Sequence, residues 1–417
     1  MIKIATVFSG IGGAEQALKR LGIPHRIVFA CDNGDVELDL LSKDDSIEYA
    51  HLRKLRSKKQ LKSEKDINRL AKLANIEQER SIKILNEVKS LGTKKQKKDF
   101  IDNLYRTNSR QTNFVKKSYL ANYHISEDDF YLDIRFLDAT PYKKENIDLF
   151  VGGSPCQSFS IVGAQHGLND TRGTLFYDFA RIIQECSPKV FIYENVRGLT
   201  THDNGKTLEV ILNVLSNLNY EIVPPQILNA SDYGIPQTRR RFFIIGIRKD
   251  LNFLPFEFPM PIGLKYTMQD FLEDNCAYGY FSYDKKGDLI ISKIKGTPDK
   301  KFILTPAVQK YVLSEGTRNF ITSTQIDLPI ARTLMKMMTQ HHRAGVDNYI
   351  TVSKDPLIIR QLSDREALRL MGFTDDFNIV VSSMQMLRQA GNSMVVDVMM
   401  NLIKQIIKTK VFTVNGK

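Results

Sequence analysis

Ile2-Lys3-Ile4-Ala5-Thr6-Val7-Phe8-Ser9-Gly10-Ile11-Gly12-Gly13, running into Ala14-Glu15-Gln16-Ala17-Leu18-Lys19-Arg20-Leu21, decides the fold. Residues 2 to 8 are apolar and rich in β-branched side chains, as a strand buried on both faces is. Glycines then permit a tight turn, and the residues after them place apolar side chains at helical spacing. Strand, glycine turn and helix open a doubly wound nucleotide-binding sheet. No Walker lysine follows the turn, which argues against ATP. Further along, His25 to Asp32 reads as a second strand. Ile147–Gly152, Lys189–Tyr193 and Arg241–Ile247 read as later ones, with helices at Thr174–Cys186 and Thr207–Leu218. Strands alternating with helices predict a mainly parallel sheet with ligands at the strands' C-terminal ends.

Composition narrows the class. An apolar fraction of 42% and a charged fraction of 25% over 417 residues are those of a soluble globular protein, long enough for a large α/β domain and a smaller one. No apolar run approaches the roughly 18 residues of a membrane span, and the N-terminus does not read as a signal peptide. Cys31, Cys156, Cys186 and Cys276 are far apart, which argues against a zinc site or disulfide framework and fits a reducing cytoplasm. The net charge of +12 is uneven: residues 43–118 hold 21 Lys or Arg against 10 Asp or Glu, an excess of 11. In that segment Ile67, Leu70, Leu73, Ile76, Ile82, Leu85 and Val88 recur near helical period. They predict two or three amphipathic helices with a break near Gly92. The excess charge fits either a polyanion such as DNA or a solvated helical surface. From about 250 to 357 the strand–helix rhythm stops, and prolines and aromatics cluster at Leu254–Pro261, so a second domain is expected there.

Four further motifs carry chemistry. Gly152-Gly153-Ser154-Pro155-Cys156-Gln157-Ser158 follows a strand. Glu194-Asn195-Val196 ends another. Gln237-Thr238-Arg239-Arg240-Arg241 precedes a third, and Gly391-Asn392-Ser393 lies near the C-terminus. In this order, with the glycine turn, the set resembles the cytosine-C5 DNA methyltransferase family from Met1 almost to the C-terminus, interrupted mainly by the basic insertion. The resemblance implies a Rossmann-like S-adenosylmethionine-dependent α/β fold with a smaller, strand-rich target recognition domain. The expected division is a catalytic domain over 1–248, recognition domain and hinge motif over 249–377, and a returning segment over 378–417.

Cytosine C5 is a poor nucleophile until a thiolate adds at C6. The resemblance gives that attack to Cys156. Glu194 would act at N3 and Arg241 at O2, where charge builds up, with Arg239 in the same set holding a phosphate or orienting the loop. It gives the methyl donor to Phe8, Gly10, Ile11, Gly13, Asp32, Asn33, Asp133, Ile134, Pro155, Leu175, Asn392 and Ser393, with no metal. Asp32 would accept from the ribose hydroxyls. Asp32-Asn33 stands where the family has glutamate and an aromatic, and Met394 where valine is usual. The target base must swing out of the duplex, and Ser158–Arg172 would close over it. Arg332 to Arg343 offers donors for base edges and phosphates, with Met335, Met337 and Met338 as packing residues. The implied partners are double-stranded DNA and a separately encoded restriction endonuclease. The implied setting is a monomer in a bacterial or phage-infected cytoplasm, without a membrane. Two alternatives remain: a tRNA cytosine-C5 methyltransferase, whose branch usually carries a Cys-Phe-Thr triplet that is absent here, and a catalytically silent DNA-binding homologue.

Overall fold

The structure, a computed structural model, describes residues 1–57, 60–109, 111–155, 175–284, 288–317 and 320–412. Its centre is an eight-stranded sheet. Strand β1 (Ile2–Val7) lies between β2 (His25–Cys31) and β4 (Leu149–Gly152), with β3 (Phe130–Tyr131) beyond β2 and β5 (Val190–Val196) beyond β4. All five are parallel. Every β1 residue but Lys3 is buried, because helices cover both faces of the sheet. On one face α1 (Gly13–Arg20) packs Ala14, Ala17 and Leu18 against Val396, Met399 and Ile403 of the last helix, α11 (Val396–Lys408). Arg20 and Asp397 join the two helices through a buried ion pair at 2.6 Å. On the other face, Phe176, Phe179 and Ile183 of α6 (Leu175–Cys186) and Ile211 and Leu215 of α7 (Lys206–Ser216) close a second apolar cluster. Each such side chain contributes about 1.5–3 kcal/mol through burial.

Strand direction differs from a simple parallel reading on one side. β8 (Arg240–Arg248) runs antiparallel to β5, and the short strands β6 (Tyr220–Ile222) and β7 (Gln226–Asn229) pair antiparallel with its other edge. The arginine motif therefore sits at the start of a strand yet reaches the same end of the sheet as the other motifs. Arg241 lies opposite Val196, and Phe243 opposite Glu194.

The basic insertion folds as three helices, α2 (Lys43–Ser57), α3 (Glu64–Ser90) and α4 (Lys94–Asn108). The break falls beside Gly92, where Thr93 and Gln96 form a capping box that starts α4. Leu52, Leu70 and Leu73 hold α2 to α3. Val88, Ile101 and Tyr105 seal against Val36, Leu38, Leu40 and Phe136 of the main body. Part of the excess charge serves this docking: Lys89 pairs with Glu185 at 2.7 Å, Lys97 with Asp138 at 2.5 Å, and Lys94 with Asp129. The excursion closes on itself where α5 (Phe114–Leu120) resumes the main fold. Asn113 Nδ2 donates to the Asp32 carbonyl at 2.8 Å, and Asn113 Oδ1 caps α5. Ends held this closely let a long insertion sit in the fold at low entropic cost.

Between 249 and 377 no βα rhythm exists. The hairpin β9 (Phe281–Tyr283) with β10 (Leu289–Ile291), helix α8 (Pro306–Val312), β11 (Gly316–Thr317) with β12 (Phe320–Ile321), and β13 (Tyr349–Lys354) with β14 (Leu357–Gln361) are joined by long loops. Helix α9 (Asp364–Arg369) anchors them through buried pairs, Arg360 with Glu366 and Arg369 with Asp375, each at 2.7 Å. Residue 347 should leave a pH signature. Asp347 is 4% exposed and its Oδ2 has no hydrogen-bond partner among the described residues, so burial pushes its carboxyl up to about 7. Unfolded, it ionises near about 4. The folded state therefore holds the extra proton between those values, and this group's stabilisation falls as pH rises through that window. Asp347→Asn should flatten stability against pH there and raise stability at pH 8 by a few kcal/mol at most, as read by urea unfolding. An unchanged pH profile would remove Asp347 from the account.

Among the described residues, no helix is long and apolar enough to cross a membrane.

Candidate active site

The glycine turn ends β1 beside the switch between β2 and β4, where doubly wound sheets bind ligands. Phe8 has φ +52°, Gly10 +53° and Gly12 +79°. A left-handed phenylalanine is uncommon and clusters at functional sites. The glycines differ in what they face. A Cβ on Gly12 would lie 2.2 Å from the Tyr123 ring, so that glycine serves packing, whereas a Cβ on Gly10 would meet nothing within 4 Å. Gly10 thus borders open space at the strand end. A Cβ on Gly13 would sit 3.0 Å from the Met394 carbonyl, so the turn abuts the Asn392–Met394 segment. Phe8 and Leu175 pack against one shared apolar cluster. Ile11 is fully buried.

The carboxylate of Asp32 accepts the Gly10 N–H at 2.9 Å and the Gly34 N–H at 2.8 Å, and burial raises its pKa. It braces the turn as well as bordering the open space. Asn33 is exposed and its side chain accepts from the Asp35 N–H, so nothing aromatic stands at that point. Asp133 is buried, and its oxygens accept from the Tyr105 hydroxyl at 2.7 Å and from Arg135. The backbone N–H of Ile134 has no hydrogen-bond partner among the described residues. An open glycine face, a free buried N–H and two carboxylates fit an adenosine-bearing donor with ribose hydroxyls and an exocyclic amine. Ser393 is buried, while Asn392 is exposed at the C-terminal end of α10 (Ser383–Asn392).

Across the switch point, β5 brings Glu194 to the same end of the sheet. β5 extends two residues past Glu194 to Val196, so this acid lies within the strand, not at its end. Arg241 Nε meets Glu194 Oε1 at 3.1 Å, and both side chains are mostly buried. Gly153 passes directly over Glu194: a Cβ there would stand 2.6 Å from the Glu194 carbonyl and 2.9 Å from its Oε2. That glycine allows the loop leaving β4 to cross the acid. Ser154 is fixed next, its hydroxyl 2.7 Å from the Tyr193 hydroxyl and its carbonyl accepting from Asn195 Nδ2 at 3.0 Å. Nothing in the sequence but their adjacency to Glu194 marks Tyr193 and Asn195 as anchors of this loop. Pro155 is exposed. Cys156 and the loop Ser158–Arg172 lie outside the described residues. Cys31, Cys186 and Cys276 are free and buried, and burial raises each thiol, so they are poor nucleophiles.

Arg239, expected to hold a phosphate or orient the loop, is 3% exposed and donates to three backbone carbonyls, Leu334 at 2.9 Å, Gly391 at 3.1 Å and Ser393 at 2.8 Å. Burial lowers its guanidinium to about 9, with Arg241 adding to the effect, which leaves it charged at neutral pH. A triple-arginine run reads as solvated surface, but here its first member is a clamp between β8, the 334 loop and the end of α10. Gln237 works alongside, fully buried, donating to the Leu370 carbonyl at 2.7 Å and accepting from the Leu334 N–H at 3.0 Å. Arg239→Ala should leave three buried carbonyls unpaired and cost at least about 3 kcal/mol. A lowered urea midpoint checks this; full stability with lost turnover would return Arg239 to the chemistry. Of the three methionines expected to pack, Met338 is buried but Met337 is 45% exposed, because the 3-10 turn after it points only its neighbour inward.

The family described as C-5 cytosine-specific DNA methylase matches residues 90–408. The chain belongs to that family. Its relatives include the Type II methyltransferase M.HhaI of Haemophilus parahaemolyticus, 38% identical over 259 residues that cover 60% of this chain and 73% of that protein. M.SsoII of Shigella sonnei is 35% identical over 298 residues, covering 71% of this chain and 72% of its own. In fold the chain is similar to a Dnmt2 methyltransferase of S. pombe, with a TM-score of 0.61 at 17% identity over 99% of this chain and 100% of that one. It is also similar to a methyltransferase encoded within an E. coli prophage, with a TM-score of 0.54 at 20% identity over 98% and 99%. This cytosine-C5 methylase is therefore an S-adenosylmethionine-dependent DNA methyltransferase, and M.HhaI and M.SsoII bear the name Type II methyltransferase.

Proposed function

We propose that this methylase swings a target cytosine out of a short duplex sequence and attacks its C6 with the Cys156 thiolate. The observation that carries the reading is the Glu194–Arg241 pair at 3.1 Å, crossed by Gly153 three residues before Cys156. Attack at C6 moves an electron pair toward N3 and O2. Glu194 donates a proton at N3, and Arg241 holds O2. Covering by a base would bind the Glu194 proton more tightly. S-adenosylmethionine, when bound, supplies the methyl group that C5 takes. Water then removes the C5 proton, and β-elimination releases Cys156 as thiolate. Gly10, Asp32, Asp133 and Ile134 line the donor side, with Phe8, Leu175 and Asn392 around it, and Arg239 positions β8. The buried state of the other three cysteines supports Cys156 as the nucleophile.

Sequence recognition falls to residues 249–377, where Arg332 and Lys336 are partly exposed beside the arginine clamp. The biological role is protection of host DNA from a separately encoded restriction endonuclease, carried out by a cytoplasmic monomer. Bisulfite sequencing of plasmid DNA from a methylation-free bacterial host expressing the chain tests this. Protected cytosines within one short motif are expected. An unprotected plasmid, with purified protein still binding S-adenosylmethionine, would overturn the DNA reading.

A further inference from the structure

We infer that the basic insertion forms an outer wall of the methyl-donor site, and that Tyr105 of α4 is a positioning residue for Asp133. The inference rests on the reading above that Asp133 and Ile134 line the donor side, where they would meet the adenine. Two segments border that site, one after Asp32 and one from Asp133 onward. The insertion covers both, since Val88, Ile101 and Tyr105 pack on Val36 and Leu38 of the first and on Phe136 of the second. Polar contacts follow the same path. The Tyr105 hydroxyl donates to Asp133 Oδ2 at 2.7 Å, within a buried setting. Arg135 donates to that oxygen from Nη2 at 2.7 Å and from Nε at 3.0 Å, and Glu77 of α3 stands 3.6 Å from Arg135 Nη1. Oδ1 takes the Arg135 backbone N–H at 2.9 Å and a longer Nε contact at 3.1 Å. Oδ2 thus takes three donors, whereas Oδ1 takes the backbone N–H and only the longer branch of the shared Nε contact, which leaves Oδ1 with the capacity to accept from an exocyclic amine. Without the Tyr105 bond the Arg135 contacts alone set the carboxylate, which is then free to turn about its χ2 torsion toward the guanidinium and lose that aim.

The insertion then acts on donor binding as well as on any polyanion that its solvated lysines meet. Removing it whole would expose Val36, Leu38, Leu40 and Phe136, so a point variant makes the cleaner test. Tyr105→Phe keeps the ring in its apolar cluster and removes only the hydroxyl. Calorimetric titration of the full chain would compare S-adenosylhomocysteine with S-inosylhomocysteine, which carries a carbonyl oxygen in place of the adenine amine. The parent should prefer the adenosyl compound. Tyr105→Phe should weaken that compound's binding about tenfold and the inosyl compound's by less than about twofold, so the preference collapses. A parent preference that survives Tyr105→Phe, or equal weakening of both ligands, would overturn the role of Tyr105 alone. A parent without preference would overturn the Asp133 assignment and this inference with it. A melting temperature close to the parent's shows that the variant is folded.

Discussion

Cys156→Ser will bind S-adenosylmethionine with the parent's affinity and transfer methyl groups at a rate lower by on the order of 10⁴ or more. The serine hydroxyl is nearly isosteric with the thiol but is not ionised at neutral pH. The donor side should be untouched. Phe8, Gly10, Asp32 and Ile134 lie just after β1, just after β2 and in the loop after β3, whereas Cys156 follows β4 beyond the fixed Ser154. Filter binding with labelled donor and methyl incorporation into duplex DNA separate the two properties. Loss of both together would mean that residues 152–160 serve the architecture of the loop, and the chemistry would need another nucleophile. None of the other three cysteines could replace it without unburying.

Glu194→Gln should lower kcat by about 10²–10³ while leaving donor and DNA binding near parent values. Glutamine matches the size of glutamate and can still accept from Arg241 Nε, which sits 3.1 Å from Oε1. What it cannot do is give a proton to N3 as the thiolate adds. The crowding beneath Gly153 sharpens the test, because a shift of the side chain would displace the loop that leads to Cys156. Single-turnover kinetics with saturating donor measure the step directly. A variant with the parent's single-turnover rate would remove the acid from Glu194, and a variant that no longer binds DNA would make it structural.

Much of the fold was legible because it was written in local apolar runs. The strands at Ile2–Val7 and His25–Cys31 and the helix ending at Cys186 fall within a residue or so of their sequence reading. Periodicity over Ile67–Val88 read as two or three insertion helices with a break near Gly92; the described residues hold three, the first of them, Lys43–Ser57, outside that periodic stretch. The direction of β8 was not legible, since an apolar run carries no sign and its orientation is set by pairing with β6 and β7. The site was legible as motifs, not as roles. Arg239 and Arg241 are two residues apart and equivalent by type, yet Arg239 precedes β8 and turns into the body, whereas Arg241 lies in the strand and faces Glu194. The docking of Lys89 on Glu185, 96 residues away, and of Tyr105 on Asp133, 28 away, lies beyond any local pattern.

The pairing of α1 with α11 has a consequence for synthesis. Arg20 and Asp397 are 377 residues apart, and they meet in the same layer that covers one face of the sheet. At roughly 5–20 residues per second, a ribosome takes on the order of 20–75 s to travel between them. Throughout that interval the apolar stripe of Ala14, Ala17 and Leu18 has no permanent cover, which makes the nascent chain a natural client for a holding chaperone. The carbonyls of Gly391 and Ser393 also reach Arg239 only then. Competence for methyl transfer thus arrives late in translation, and a ribosome stalled before α11 releases a chain without a closed core.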